Sequence, residues 1–486
     1  MERIRKGIIH SLSGDFLSKI PMYLAELILA SALNTRTYGL WTSLQAGLRF
    51  LLYAHLGLLS AYNKVAPLQH QSHKKEGEKL NNVVQSYMLI LGGTFLLIIA
   101  LIALISVRKP VGSFGWEQWL AFGVIGFLIQ SYSYHQARLK NETNYFRMSM
   151  GLLIYSFSYL IFVYLLASKW QLTGALVAIL IAYLLSTLYY QFRRKIQLDF
   201  DITVLKRLLV SGALPFFFTI VNFLLQMTDR IVIMIGANIE MLALYGFAYL
   251  ANQVVLLMVN AIDRVFSTFS LRMQGSGDYD QAASLSLHSM WITAIGAAIA
   301  FGGYYFFGDL LIHSYFSKYA EAIQPIFYMM IGVYFFSSVQ PTFSFIMGHN
   351  GEKRLIAIHI IMIIVMAGFT GSALLIDHAF LSFSKAVFAA QLLYYFALLY
   401  LFISYYLKHS SFKQKAKHWL RLATMISSPL VVTLILTAGF NSVRISGHEI
   451  VISIISFLLY AVLFGFFIWK GYRLFHRIVN VKYENR

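Results

Sequence analysis

Apolar runs of about 20 residues, bounded by charge or turn residues, succeed one another along the whole chain, and each is long enough to cross a bilayer as a helix. They lie near residues 12–34, 38–62, 82–106, 116–136, 147–168, 171–192, 208–236, 241–266, 284–312, 322–347, 353–376, 379–407, 418–439 and 449–471. These make about 14 spans, and the loops between them are too short to fold as an extramembrane domain. Composition agrees: 58% of residues are hydrophobic and 12% charged, against about 25% charged in soluble domains, and the mean hydropathy is +0.66. The expected fold class is an all-α polytopic membrane protein.

The formal net charge of +19 would suit nucleic acid only on the basic face of a soluble domain, and there is no stretch to build one. Lys and Arg sort instead between alternate loops. With the N-terminus in the cytoplasm, 28 of the 39 fall on the cytoplasmic side and 7 opposite, leaving four (39 − 28 − 7) inside spans. This bias predicts that both termini are cytoplasmic, and topology with anionic-lipid contact accounts for the basicity without a nucleic-acid partner. The basic start MERIRKGIIHSLSGDF lacks an apolar run followed by a small-residue cleavage site, so it is expected to remain as the first helix. The chain has no cysteine, which removes disulfide and thiolate chemistry. HExxH, Walker and GxSxG motifs are absent, and the histidines lack metal-ligand spacing, with His288 and His359 isolated in spans. Neither an enzyme nor a metal site is expected.

A repeat is visible in TYGLWTSLQ (37–45) and LYGFAYLAN (244–252), which open the second and eighth spans. Six spans separate the copies. That even number gives both halves one orientation, as in parallel-repeat transporters. The expected division is a six-helix bundle over 1–195, a second over 196–410, and two extra helices with a cytoplasmic tail over 411–486.

Polar residues gather on the leading pair of helices in each half. At 100° per residue, Asp15, Lys19 and Glu26 fall on one face of the first helix, and Gln45, Arg49, Tyr53 and Ser60 on one face of the second. The seventh carries Asn222, Gln226 and Asp229 with Arg230 adjacent; the eighth carries Tyr245, Tyr249, Asn252 and Asp263 with Arg264 adjacent. A charge at the bilayer centre costs at least about 2.5 kcal/mol, so these stripes are expected to face protein or a hydrated central cavity. Pro21 and Pro215 sit on or beside the stripes and are candidate hinges.

Each charge also has a plainer reading. Asp15 and Lys19, four apart, are placed to neutralise each other near the cytoplasmic boundary. Arg264 is positioned either to anchor topology or to serve the cavity. Glu26 and Arg49 either form a structural ion pair or act on a substrate; Asp229 and Arg230 either hold the second bundle together or line the cavity. Asn and Gln side chains serve equally as helix-packing contacts.

The layout resembles the polysaccharide and O-antigen flippases of the multidrug/oligosaccharidyl-lipid/polysaccharide exporter superfamily. Residues 6–67, residues 208–269 and the MGHNGEKR loop (347–354) carry the resemblance, which covers nearly the whole chain. It implies two six-helix bundles in a V with two extra C-terminal helices. The implied activity is translocation of undecaprenyl-diphosphate-linked glycan across the bacterial inner membrane, with glycan-assembly proteins as further partners. Cavity basic residues of the family hold the diphosphate; by position Arg49 and Lys19 match best, then Arg264. Gln45, Asn222, Gln226, Tyr245, Tyr249 and Asn252 would line the glycan path. Glu26, Asp15, Asp229, Arg230 and Asp263 would gate or bind a coupling Na+ or H+, the only cofactor expected. The position equivalent to Arg49 in the second half is Leu256, so the charge is not duplicated. The alternatives are a cation-coupled drug or metabolite antiporter of the same superfamily, a membrane-embedded glycan-assembly enzyme, or a scaffold.

Overall fold

The computed structural model describes residues 2–63, 74–108, 114–192, 197–275, 277–407, 411–441 and 453–469. The side chains of Asp15, Pro215, Asp263 and Arg264 lie outside what it describes. The described chain is helical: α1 (Glu2–Ala32), α2 (Thr35–Leu51), α3 (Lys74–Arg108), α4 (Trp116–Asn141), α5 (Tyr145–Gln191), α6 (Ile202–Gly236) and α7 (Ile239–Gly275). There follow α8 (Tyr279–Tyr315), a 3-10 turn (Ser317–Ala322), α9 (Ile323–Ser338), α10 (Thr342–Gly348), α11 (Glu352–Asp377), α12 (Phe380–Tyr406) and α13 (Phe412–Asn441), then α14 (Ser453–Trp469).

Among the described residues, nine helical stretches are long and apolar enough to cross a membrane. One of them, α5, has 47 residues and is broken at Gln171 (φ 49°, ψ −125°), so it supplies two spans. The remaining expected spans fall on α1, on α2 with the helical residues 58–63, on α4 and on α14, so each of the 14 apolar runs contains helix, the second in two pieces. Large apolar side chains stand exposed in rows, such as Leu97, Leu101 and Leu104 at 61% or more on α3. In a hydrocarbon solvent that exposure costs nothing.

Short polar residues start the helices. Asn34 Oδ1 accepts from the Thr37 amide at 2.8 Å at the head of α2, and Asn238 Oδ1 from the Met241 amide at 2.8 Å at the head of α7. Asp278 does the same for α8 through Gln281. Each satisfies an amide that the first turn leaves orphaned.

The second expected span is not one helix. α2 stops at Leu51, residues 52–57 form turns with positive φ at Leu56 (48°) and Gly57 (87°), and helix resumes at 58–63. The single stripe expected through Gln45, Arg49, Tyr53 and Ser60 is therefore corrected: Tyr53 lies in the turn and the register does not carry on to Ser60. The carbonyl of Leu51, which the break leaves with the Ala54 amide at 3.2 Å, also accepts from Gln130 Nε2 of α4 at 2.6 Å. A side chain at Gly57 would meet Phe216 Cβ at 2.9 Å, so neither the backbone angle nor the space suits another residue.

The chain divides into two compact units. Unit 1 is residues 1–227 with 238–246, and unit 2 is 228–237 with 247–486. In unit 1, α1 runs along α5, and α4 packs on α3 and α5. The repeat glycines have a packing role there. A Cβ on Gly39 would lie 2.3 Å from the carbonyl oxygen of Ile239, and one on Gly246 would lie 2.1 Å from Thr42 Oγ1, so α2 and the head of α7 cross with backbones nearly touching. In unit 2, α12 packs on α9 and α11, and α8 on α9 and α13. Tyr334 Oη donates to the Ile426 carbonyl at 2.6 Å and Tyr460 Oη to that of Ala298 at 3.2 Å, tying α13 and α14 to that unit. His359 is fully buried and bonds Leu355 and Tyr394, a packed histidine.

Candidate functional site

The polar residues form two described clusters, one in each unit. In unit 1 the centre is Glu26 on α1. Its Oε1 accepts from Gln45 Nε2 of α2 at 2.7 Å and from Tyr159 Oη of α5 at 2.8 Å; its Oε2 accepts from Trp41 Nε1 at 3.2 Å. Trp41 and Gln45 are one turn apart, so a single face of α2 supplies two donors. The charge of Arg49, one further turn along, also acts on this carboxylate. Three neutral donors from two helices replace the water that an intramembrane carboxylate lacks. Trp41 can only donate, which commits one oxygen to accepting.

Arg49 is half-buried in the last turn of α2. The helix end there carries partial negative charge, which favours a cation. The break that follows leaves this terminus deep in an apolar run instead of at a membrane surface. Lys19 is half-buried on α1, and Pro21 is buried within the same helix.

In unit 2, Arg230 is 2% exposed and its guanidinium lies 4.4 Å from the ring centre of Tyr249, a cation–π contact between the end of α6 and α7. Asp229, 7% exposed, accepts the Arg230 amide on Oδ1 at 2.8 Å. Asn252 is buried on α7 and its Oδ1 has no hydrogen-bond partner among the described residues; the same holds for Asn222 Oδ1 on α6 in unit 1. Tyr245 is fully buried at the repeat crossing, and Gln226 is exposed on α6. The structure thus brings Glu26, Gln45 and Arg49 together in unit 1, and Asp229, Arg230 and Tyr249 in unit 2.

Two Glu26 partners carry no sequence signal of their own. Trp41 reads as an aromatic within a span. Tyr159 lies 133 residues from Glu26 in an apolar helix, although the crowding of tyrosines at 155, 159, 183, 189 and 190 marks that region as unusual.

Outside the membrane, Asp201 caps α6 by accepting from Thr203 and Val204 amides at 3.0 and 3.1 Å, and pairs with Lys79 of α3. The Lys79 ammonium, with the Val204 amide, holds the Asp201 carboxyl below its usual range. Asn82 to Gln197 and the Asp199 amide to Ser86 Oγ strap the rest of this segment to α3.

No protein-family model matches the sequence, and no curated protein does. Solved structures do match. The inward-facing conformation of a multidrug resistance MATE family transporter of the MOP superfamily aligns at TM-score 0.65 and 13% identity, covering 86% of this chain and 99% of that one. The Lipid II flippase MurJ in an inward closed conformation aligns at TM-score 0.66 and 14% identity, covering 94% and 98%. A MOP superfamily transporter from Pyrococcus furiosus aligns at TM-score 0.57 and 14% identity, covering 86% and 96%. The fold is that of MOP superfamily transporters, and these neighbours are transporters, not enzymes.

Proposed function

We propose that this chain is an alternating-access flippase that moves an undecaprenyl-diphosphate-linked oligosaccharide from the cytoplasmic to the external leaflet of a bacterial inner membrane. The observation that carries the reading is Arg49, a half-buried guanidinium at the end of a half-helix inside an apolar span. A diphosphate cannot cross hydrocarbon uncompensated, and a guanidinium contacts two phosphate oxygens at once. Lys19 supplies a second cation on α1, Arg264 a third, and Asn222, Gln226, Tyr249 and Asn252 offer polar groups to the glycan. The likeness to a lipid II flippase over 94% of the chain supports a lipid-linked substrate.

Glu26 is the coupling group in this reading, with Asp15, Asp229, Arg230 and Asp263 as gating charges and Pro21 and Pro215 as hinges. A proton suits Glu26 better than Na+, because N–H donors already occupy its oxygens where a sodium ion needs oxygen ligands. The same carboxylate, with the likeness to multidrug transporters, favours cation-coupled antiport as the second reading. Proteoliposomes separate the two. The flippase reading expects reconstituted protein to expose a fluorescent lipid-diphosphate oligosaccharide to an external quencher while leaving ethidium uptake at the level of empty vesicles. Ethidium transport without lipid translocation would favour the antiporter.

A further inference from the structure

We propose that a file of buried tyrosines forms a proton path from Glu26 to the end of unit 1 that carries Arg138, Lys140 and Arg147. The path deepens the coupling role given to Glu26 above and rests on it.

The file begins at Tyr159, whose hydroxyl donates to Glu26 Oε1 at 2.8 Å. Tyr155 lies one turn back on α5 with its ring nearly parallel, centroids 6.2 Å apart. Its ring lies 4.6 Å from that of Tyr183, on the second half of α5, with 50° between the planes. Tyr183 faces Tyr132 of α4 at 5.2 Å, edge to face. Tyr132, whose hydroxyl oxygen accepts from Gln136 Nε2 at 2.7 Å, lies 5.6 Å ring to ring from Tyr190, which donates to the Met148 carbonyl at 2.8 Å near the start of α5. From Tyr159 to Met148 is 11 residues, about 16 Å along the helix axis.

Packing alone does not call for these hydroxyls. Phenylalanine would fill the same ring-to-ring contacts without bringing polar atoms into an apolar bundle, each of which needs a partner. Tyr132, Tyr155, Tyr159 and Tyr190 are all at most 7% exposed. Every hydroxyl can donate and accept at once. A proton leaving Glu26 binds the Tyr159 oxygen while that hydroxyl releases its own proton onward. Each tyrosine ends neutral with its proton replaced, and hydroxyl rotation resets the file. Where successive rings hold their hydroxyls apart, a water molecule carries the proton between them.

The charged and titratable groups around the path fit its ends. Arg49 from α2 acts on Glu26 at the near end. At the far end His135 of α4 lies 6.2 Å from the Tyr190 ring, a titratable group placed to take or return the proton. Arg147 holds the Tyr189, Tyr190 and Phe192 carbonyls at 3.1, 3.1 and 2.7 Å and fixes the exit.

The test is infrared difference spectroscopy on the full chain in lipid nanodiscs after a pH jump, with the protonated-carboxyl band lost in Glu26→Gln as the probe. Tyr155→Phe combined with Tyr183→Phe keeps the rings and removes two hydroxyls. It is expected to slow the rise of that band about a hundredfold, the lower end of what a positioned proton-transfer group supplies, with its midpoint pH unchanged. Tyr164→Phe, on the same helix but 69% exposed, is expected to leave the rate as in wild type. An unchanged rate in the double variant overturns the path while leaving the coupling role of Glu26 intact. A wild-type spectrum with no Glu26-dependent band overturns both.

Discussion

Glu26 has a carboxylate whose three hydrogen bonds all come from neutral groups. Removing any one donor leaves the rest of the cluster in place but under-solvates the charge. Trp41→Phe is expected to cost about 1–3 kcal/mol, the desolvation of an unsatisfied buried polar group, read as a fall in thermal midpoint in detergent. Glu26→Gln in the same background should remove most of that penalty, because no charge is left to solvate. At this scale the sequence was partly legible. The stripe on α1 pointed to Glu26, and the spacing of Gln45 and Arg49 put both on its side. Tyr159 was not, because a single hydroxyl in an apolar helix gives no periodic signal and its contact spans 133 residues.

Two elements were hidden or half-hidden in the sequence. The run 38–62 is continuously apolar and reads as one helix; the break at 52–57 comes from tertiary contacts that hydropathy does not record, namely Gln130 on the Leu51 carbonyl and Gly57 against Phe216. Gln130→Leu should leave that carbonyl with the Ala54 amide at 3.2 Å as its remaining donor and destabilise by about 1 kcal/mol, the net worth of one hydrogen bond, with hydrogen exchange rising locally across 52–58. The Tyr-Gly repeat was visible from the start, but its reason was not. A pairwise match says nothing of distance, whereas the fold brings Ile239 and Thr42 to within 2.3 Å of where the glycine Cβ atoms would sit. Gly39→Ala and Gly246→Ala are each expected to force the helices apart, at about 1–3 kcal/mol for an overpacked contact, measured as lost yield of monodisperse protein. Ser43→Ala, on α2 with its hydroxyl bonded only within its own helix, is the neutral comparison.

At the scale of the whole molecule the helical membrane fold was the most legible feature, because fourteen apolar runs are a global sum that local errors do not disturb; the sorting of 28 basic residues against 7 predicts an orientation. The absence of cysteine makes orientation directly measurable. Asn350→Cys is expected to react with a membrane-impermeant maleimide only from the cytoplasmic side, and Lys169→Cys only from the outside. The strap at 197–201 answers to pH with a definite sign. The folded-state Asp201 carboxyl is held below its usual value, so its contribution is present above the ordinary carboxylate range and is lost as pH falls through the lowered value. Protection of the 197–204 amides, taken relative to their intrinsic exchange rate at each pH, should be high at neutral pH and fall in acid, and Asp201→Ala should lose it throughout.

What the cluster in unit 1 does for the molecule turns on one side chain. The direct measurement is the rate at which reconstituted wild type, Arg49→Lys and Arg49→Ala translocate a lipid-diphosphate oligosaccharide in proteoliposomes, each checked for folding by gel filtration. Charge compensation predicts a loss of about a hundredfold in Arg49→Ala, in line with removing one preorganised electrostatic contact, with partial recovery in Arg49→Lys. A folded Arg49→Ala that moves the lipid as fast as wild type would contradict the account.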